Sequence, residues 1–190
     1  MKPIGVLALQ GDFEAHQKAL ARAGADSVLV RTAEELQNVA GLVIPGGEST
    51  TMLKLLRQEN LFEPLREFGQ QRPIFGTCAG AILLASEVSS PQQESLGLVD
   101  MAIERNAYGR QLDSRVVKLT PEDGLAGKEL EAVFIRAPII RRVGETGHVL
   151  ARYLGDPVLV DFGRHLVATF HPELTPDPTV HRMFVDRVAR

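Results

Sequence analysis

Short apolar runs alternate with stretches of helical periodicity through the first half of the chain, and that alternation limits the fold more than any other feature. Ile4 to Leu9 reads as a strand; Phe13, His16, Ala19, Leu20 and Ala23 then fall on one helical face, which Gly24 ends. Ser27 to Val30 is a second strand, Glu34 to Asn38 a short helical piece, and Leu42 to Ile44 a third strand. Pro45-Gly46-Gly47-Glu48-Ser49-Thr50 turns that strand into a helix carrying Met52, Leu53, Leu55 and Leu56, with Ser49 or Thr50 expected as its N-cap. Another helix over about Leu61 to Phe68 precedes a fourth strand at Pro73-Ile74-Phe75, and Ala81 to Val88 is expected as the helix behind it. Strands that are apolar throughout are buried on both faces, so the repeat predicts an α/β fold: a parallel sheet covered by helices on both sides. Reactive groups should gather at the carboxyl ends of its strands.

The second half changes character. Ser89 to Ser95 is a polar, proline-containing loop. The apolar runs that follow are short and hairpin-like: Val99 to Ile103, Ser114 to Leu119, Ala132 to Ile135, Val149 to Tyr153, Val158 to Phe162 and Leu166 to Phe170. They predict an antiparallel extension of the same unit, because no linker of low complexity divides the halves and no repeat is visible. A last amphipathic helix, with Val180, Met183, Phe184 and Val188 on one face, packs back on the sheet. One domain over residues 1–190 is expected, since a chain of this length buries roughly 70% of its unfolded surface in a single core.

Charge and cysteine content narrow the function classes. A net charge of −3 argues against nucleic acid as the main partner, because phosphate binding needs a basic face. A lone cysteine forms no internal disulfide, and the run Ile4 to Leu9 is too short for a secretory h-region or a membrane span. The expectation is a cytoplasmic enzyme without membrane association.

The lone cysteine stands in Gly76-Thr77-Cys78-Ala79-Gly80, between glycines, where a strand gives way to a helical pattern. That is the form of a nucleophile elbow, in which small residues two before and two after the nucleophile let a sharp turn close and leave its side chain exposed above the sheet. The helix N-terminus favours a thiolate by only about 0.3–1 kcal/mol, whereas a neighbouring imidazolium lowers a thiol pKa by several units, so a histidine partner should dominate. His171 is the candidate: it ends the strand Leu166 to Phe170, and in an extended chain Glu173 two residues on would point to the same side and orient the imidazole. His16, His148, His165 and His181 read as structural or solvated.

Gly46-Gly47 follows the third strand at the same end of the sheet, where its backbone N–H groups could approach a ligand. With the N–H of Ala79 it would supply an oxyanion hole, although Pro-Gly-Gly is also an ordinary turn. Arg105 and Arg136 follow expected strands, and either could hold a carboxylate through its forked donors, while surface solvation is the default for arginine.

Taken together, these residues resemble the class I glutamine amidotransferases, whose triad is cysteine, histidine and glutamate on a flavodoxin-like three-layer fold. Leu9-Gln10-Gly11, Pro45-Gly46-Gly47-Glu48-Ser49-Thr50-Thr51, Arg105-Asn106-Ala107-Tyr108-Gly109-Arg110-Gln111, Phe134-Ile135-Arg136-Ala137-Pro138 and Thr169-Phe170-His171-Pro172-Glu173-Leu174 are similar to segments of the glutaminase subunits of pyridoxal 5'-phosphate synthases, in order and over nearly the whole chain. Ala8 stands where a glycine is common in that family. The resemblance implies Cys78 as nucleophile, His171 as acid-base and Glu173 as its orienter. It implies L-glutamine as substrate, contacted by Gly46, Gly47, Glu48, Ser49, Arg105, Ile135 and Arg136, and Gln10 near the partner-operated switch. It also implies no metal or organic cofactor, with ammonia passing to a synthase subunit that makes pyridoxal 5'-phosphate. Other readings are a γ-glutamyl hydrolase, a glutaminase subunit serving another pathway, and a non-catalytic binding module on the same fold.

Overall fold

Strands and helices alternate through the first half of the chain in the computed structural model, which describes residues 2–106, 114–122, 125 and 128–190. β1 (Ile4–Leu7) leads to α1 (Phe13–Arg22), β2 (Ser27–Val30) to α2 (Ala33–Gln37), and β3 (Gly41–Ile44) to α3 (Ser49–Gln58) and α4 (Phe62–Gln71). β4 (Ile74–Thr77) enters α5 (Ala79–Leu84). There follow β5 (Ala85–Ser89), β6 (Val99–Glu104), β7 (Ser114–Leu119), β8 (Leu130–Ile135), β9 (Ile139–Val143), β10 (His148–Tyr153), β11 (Asp156–Phe162) and β12 (His165–Ala168). A 3-10 turn (Pro172–Leu174) and α6 (Thr179–Val188) complete the described elements.

A seven-stranded sheet in the order β10-β11-β12-β4-β3-β1-β2 forms the centre. β2, β1, β3, β4 and β12 run parallel, and β11 and β10 are added antiparallel. The order β2-β1-β3-β4-β12 is the flavodoxin-like arrangement, so the expected fold class is the one observed. Successive side chains of a strand point to opposite faces. Val6, Val43, Phe75 and Leu166 accordingly pack on one side with Leu20 of α1 and Phe184 of α6, while Leu7, Ile44, Ile74 and Val167 pack on the other with Leu36, Leu56, Leu65 and Leu83 of α2 to α5. Both faces being covered is what makes these strands read as unbroken apolar runs. None of the helices among the described residues is long and apolar enough to cross a membrane.

Three expectations need correction. The helix expected over Ala81 to Val88 stops at Leu84: Ala85 is extended at ψ 151°, and Ser86 Oγ exchanges hydrogen bonds with the Met101 backbone, which ties the segment into β5 beside β6. β9 was not expected, because Arg141 and Arg142 interrupt its apolar pattern. Those arginines are exposed-face residues paired with Glu104, Asp100 and Glu87, while Ile139 and Ile140 are buried. The antiparallel extension is divided. β10 and β11 widen the main sheet, whereas β5-β6-β9 and β7-β8 are separate small sheets, and β5 pairs with β6 in parallel.

Close packing of α5 against β3 sets one stability test. A Cβ at Gly80 would lie 2.2 Å from the Ile44 carbonyl oxygen, a backbone atom with little room to retreat. Gly80→Ala is therefore expected to destabilise the fold by about 2–3 kcal/mol. Chemical denaturation measures this directly, and an unchanged midpoint would show that β3 and α5 can separate freely.

Candidate active site

β1, β3, β4 and β12 all end at one rim of the sheet, and the residues that follow them converge there. Cys78, immediately after β4, has φ 50° and ψ −105°, a conformation that costs a non-glycine residue about 1–3 kcal/mol. Its N–H donates to Ala168 O at 2.9 Å, which anchors the turn to β12. A Cβ at Gly76 would lie 2.6 Å from the Gly80 backbone, so the two glycines lie against each other inside the elbow as a tight turn requires. The side chain is less open than expected: Cys78 is only 6% exposed, because the Ile135 carbonyl, 3.9 Å from Sγ, and His171 close over it.

His171 is held by its own backbone, its N–H donating to Val133 O of β8 at 2.8 Å. Its Nδ1 lies 2.6 Å from Glu173 Oε1, and the same ring meets Cys78 Cβ over Gly46. The means differs from the expected extended pair. His171 has φ −109° and ψ 83°, and Pro172 starts the 3-10 turn that folds the Glu173 carboxylate back beneath the ring. Burial pulls the imidazole toward neutrality, but the bonds and charges of Cys78 and Glu173 outweigh it and raise its pKa to about 10. Because the folded value lies above the ordinary 6.5, the resulting stabilisation is complete below pH 6.5 and fades as pH rises through 10.

The turn after β3 forms the facing wall. A Cβ at Gly46 would lie 2.5 Å from His171 Cε1 and 3.2 Å from Cys78 Cβ, so only glycine lets these three segments meet. The Gly46 carbonyl points at Gly11, where a Cβ would lie 1.9 Å away and where φ is 88°. A trans peptide opposes its N–H to its carbonyl, so the Gly47 N–H is directed away from Gly11. Gln10 Oε1 accepts the Glu48 N–H at 3.1 Å and so pins the next peptide.

Glu48, not Ser49 or Thr50, caps α3: its carboxylate accepts from Thr50 N, Thr51 N and the Thr51 hydroxyl. Burial is the largest single influence and opposes its ionisation, but the bonds from Thr51 and Thr50 together outweigh it and lower its pKa. Arg105 Nη2 donates to Glu48 Oε1 at 3.2 Å and Thr50 Oγ1 at 2.7 Å. Ser49 is buried and bonded to Gln93. Ile135 ends β8 with its carbonyl against Cys78, and Arg136, at φ 45°, follows it; both are exposed. Residues 107–111 of the Arg105 segment lie outside the described residues, as does the rest of 107–113.

Two residues beside the site were read from sequence as structural or solvated. His16 of α1 is wholly buried, with Nε2 3.5 Å from Glu173 Oε2 and 3.2 Å from Thr77 Oγ1, and Nδ1 2.9 Å from His181 Nε2 of α6. Their apolar helical neighbours gave no signal that the two rings meet under the site.

A strained cysteine beside a carboxylate-supported histidine, on a flavodoxin-like sheet, is an arrangement suited to thiol-based hydrolase or acyl-transfer chemistry. The sequence model of the SNO glutamine amidotransferase family matches residues 6–190, and the chain belongs to that family. It is 60% identical over 192 residues to a protein of Solibacter usitatus named pyridoxal 5'-phosphate synthase subunit PdxT, covering 99% of this chain and 100% of that one. A protein of the same name from Koribacter versatilis is 56% identical, covering 97% and 95%. A solved structure described as a glutamine amidotransferase matches with a TM-score of 0.90 at 46% identity, over 98% of this chain and 99% of that one. A chain in the structure of PurLQS from Thermotoga maritima matches with a TM-score of 0.74 at 17% identity, a likeness of fold alone.

Proposed function

We propose that Cys78, His171 and Glu173 hydrolyse L-glutamine, and that this chain is the glutaminase subunit of a pyridoxal 5'-phosphate synthase, working as one cytoplasmic domain over residues 1–190. The observation that carries the chemistry is the convergence of Cys78 and the Glu173-bonded ring of His171 over Gly46 at the carboxyl rim of the sheet. The assignment of the pathway rests on the near full-length similarity to proteins named as PdxT subunits.

Cys78 Sγ attacks the side-chain amide carbon, and the oxygen gains charge as the tetrahedral intermediate forms. The N–H groups of Gly47 and Ala79 are the donors assigned to that oxygen. His171, protonated beside the sulfur, gives its proton to the departing nitrogen as the C–N bond breaks, and ammonia leaves. His171 then takes a proton from water, which attacks the γ-glutamyl thioester and releases glutamate and free Cys78. Arg105, with Glu48, Ser49, Ile135 and Arg136, holds the amino-acid end of glutamine. Ammonia passes to the synthase subunit, and pyridoxal 5'-phosphate is the product of the complex rather than a cofactor of this chain.

The Gly46-Gly47 turn is the element the partner controls. Gln10 pins its Glu48 N–H, and glycine permits more than one peptide orientation there. Loss of one oxyanion donor costs about a hundred- to a thousandfold in turnover, enough to keep a free subunit nearly silent. A coupled assay tests both claims: glutamate release is expected to rise by at least about tenfold when the synthase subunit is added, with the amide nitrogen appearing in pyridoxal 5'-phosphate. Equal turnover with and without the partner removes the gating claim, and nitrogen that never reaches the product removes the pathway assignment.

A further inference from the structure

The oxygen of Glu173 turned away from His171 faces the first of two linked histidines to which the triad gives no role. Oε1 is bonded to His171, whereas Oε2 is buried without a hydrogen bond among the described residues and has His16 Nε2 3.5 Å away. On its other side, His16 Nδ1 meets His181 Nε2 at 2.9 Å, and His181 Nδ1 is buried and unbonded among the described residues. Burial, joined for His16 by the His181 and His171 charges and for His181 by Arg22, keeps both rings neutral, so each carries one N–H.

The 2.9 Å contact then permits two arrangements. In one, His181 Nε2–H donates to His16 Nδ1, and His16 directs Nε2–H between Thr77 Oγ1 and Glu173 Oε2. The one group left unmet on the histidines is a lone pair on His181 Nδ1. In the other, His16 Nδ1–H donates to His181, the Nε2 lone pair accepts from the Thr77 hydroxyl but also faces a carboxylate oxygen, and a buried N–H is stranded on His181 Nδ1. An orphaned buried N–H is rarer and costlier than an unused lone pair, and lone pair against carboxylate is repulsive, so the first arrangement wins.

We infer that His16 is a positioning residue for the triad: its Nε2–H, set by His181, faces the free oxygen of Glu173 and fixes the rotation of that carboxylate against His171. The inference rests on the reading of Cys78, His171 and Glu173 as the glutaminase triad. The terminal torsion of a glutamate is soft, so one bond to His171 leaves the carboxylate plane free to turn, and a contact at the second oxygen removes that freedom. His16 is wholly buried beneath the triad, so its effect should fall on turnover and not on glutamine binding.

Two measurements test this. Nitrogen-15 NMR of the native chain is expected to show His16 neutral with its proton on Nε2; a proton on Nδ1, or on both nitrogens, overturns the inference. In the complex with the synthase subunit, His16→Leu should lower kcat about ten- to a hundredfold with KM for glutamine within about twofold, as loss of a supporting contact to a reacting group does. His16→Gln, which keeps an N–H donor near the Nε2 position, should recover most of that loss even if both variants melt lower. Equal losses in kcat, or none, overturn the inference, and if His16→Leu does not fold the tautomer alone decides. Failure of the triad reading is distinguishable, because it would show as normal turnover in Cys78→Ala.

Discussion

Cys78→Ala is expected to lower glutamine hydrolysis by at least about a thousandfold while the chain still folds and binds its synthase partner. The sulfur is the only group removed. Alanine keeps the Cβ that packs beside Gly46, and the backbone bond from residue 78 to Ala168 O does not depend on the side chain. The elbow strain is also common to both residues, since each carries a Cβ at φ 50°. Supplying ammonium salts should restore pyridoxal 5'-phosphate formation, because the defect lies upstream of the synthase chemistry. Glutamate release and product formation measured side by side check this. Release at a substantial fraction of the native rate would mean that another group attacks the amide.

Glu173→Gln is expected to lower kcat by about a hundred- to ten-thousandfold with a much smaller change in KM, because it keeps the shape under the ring and removes the charge that supports the imidazolium. The carboxylate side chain is 1% exposed and lies 2.6 Å from His171 Nδ1, so water has no room to replace its charge. The pH profile gives a second readout with a definite sign. Glu173 is one of the groups that raise the His171 pKa to about 10, so its neutral replacement should move the alkaline limb of activity to lower pH. A profile that keeps its alkaline limb, with unchanged turnover, would make Glu173 a packing residue.

Much of the architecture was legible because its causes are local. Apolar runs such as Ile4 to Leu7 and Ile74 to Phe75 are buried on both faces, and a strand between two helical layers has no polar side to disguise it. The elbow was legible for the same reason: Gly76 and Gly80 are imposed by contacts only a few residues apart. What sequence left hidden depends on partners far along the chain. The strand character of β5 comes from its pairing with β6, which competes successfully with a helical pattern continuing past Leu84. Glu48 displaces the expected serine or threonine cap because Arg105, 57 residues away, pairs with its carboxylate while the α3 N–H groups bind it.

The histidine–glutamate pair teaches a different lesson. Its proximity was expected from extended backbone, whereas the chain achieves it with a 3-10 turn begun by Pro172. Pro172 fixes its own φ and so favours the turn. His16 was hidden by burial itself: on α1 it occupies the apolar face between Phe13 and Leu20, and only the fold reveals that this face meets Thr77, His181 and Glu173.

Chemical trapping tests the central claim most directly. The complex turning over isotope-labelled glutamine is quenched in acid, and the digested chain is read by mass spectrometry for the residue that carries a γ-glutamyl group. The predicted result is label on Cys78 alone, removed by hydroxylamine as a thioester is and absent from Cys78→Ala. Label on a different residue, or glutamate formed at the native rate by the Cys78→Ala complex, would contradict it.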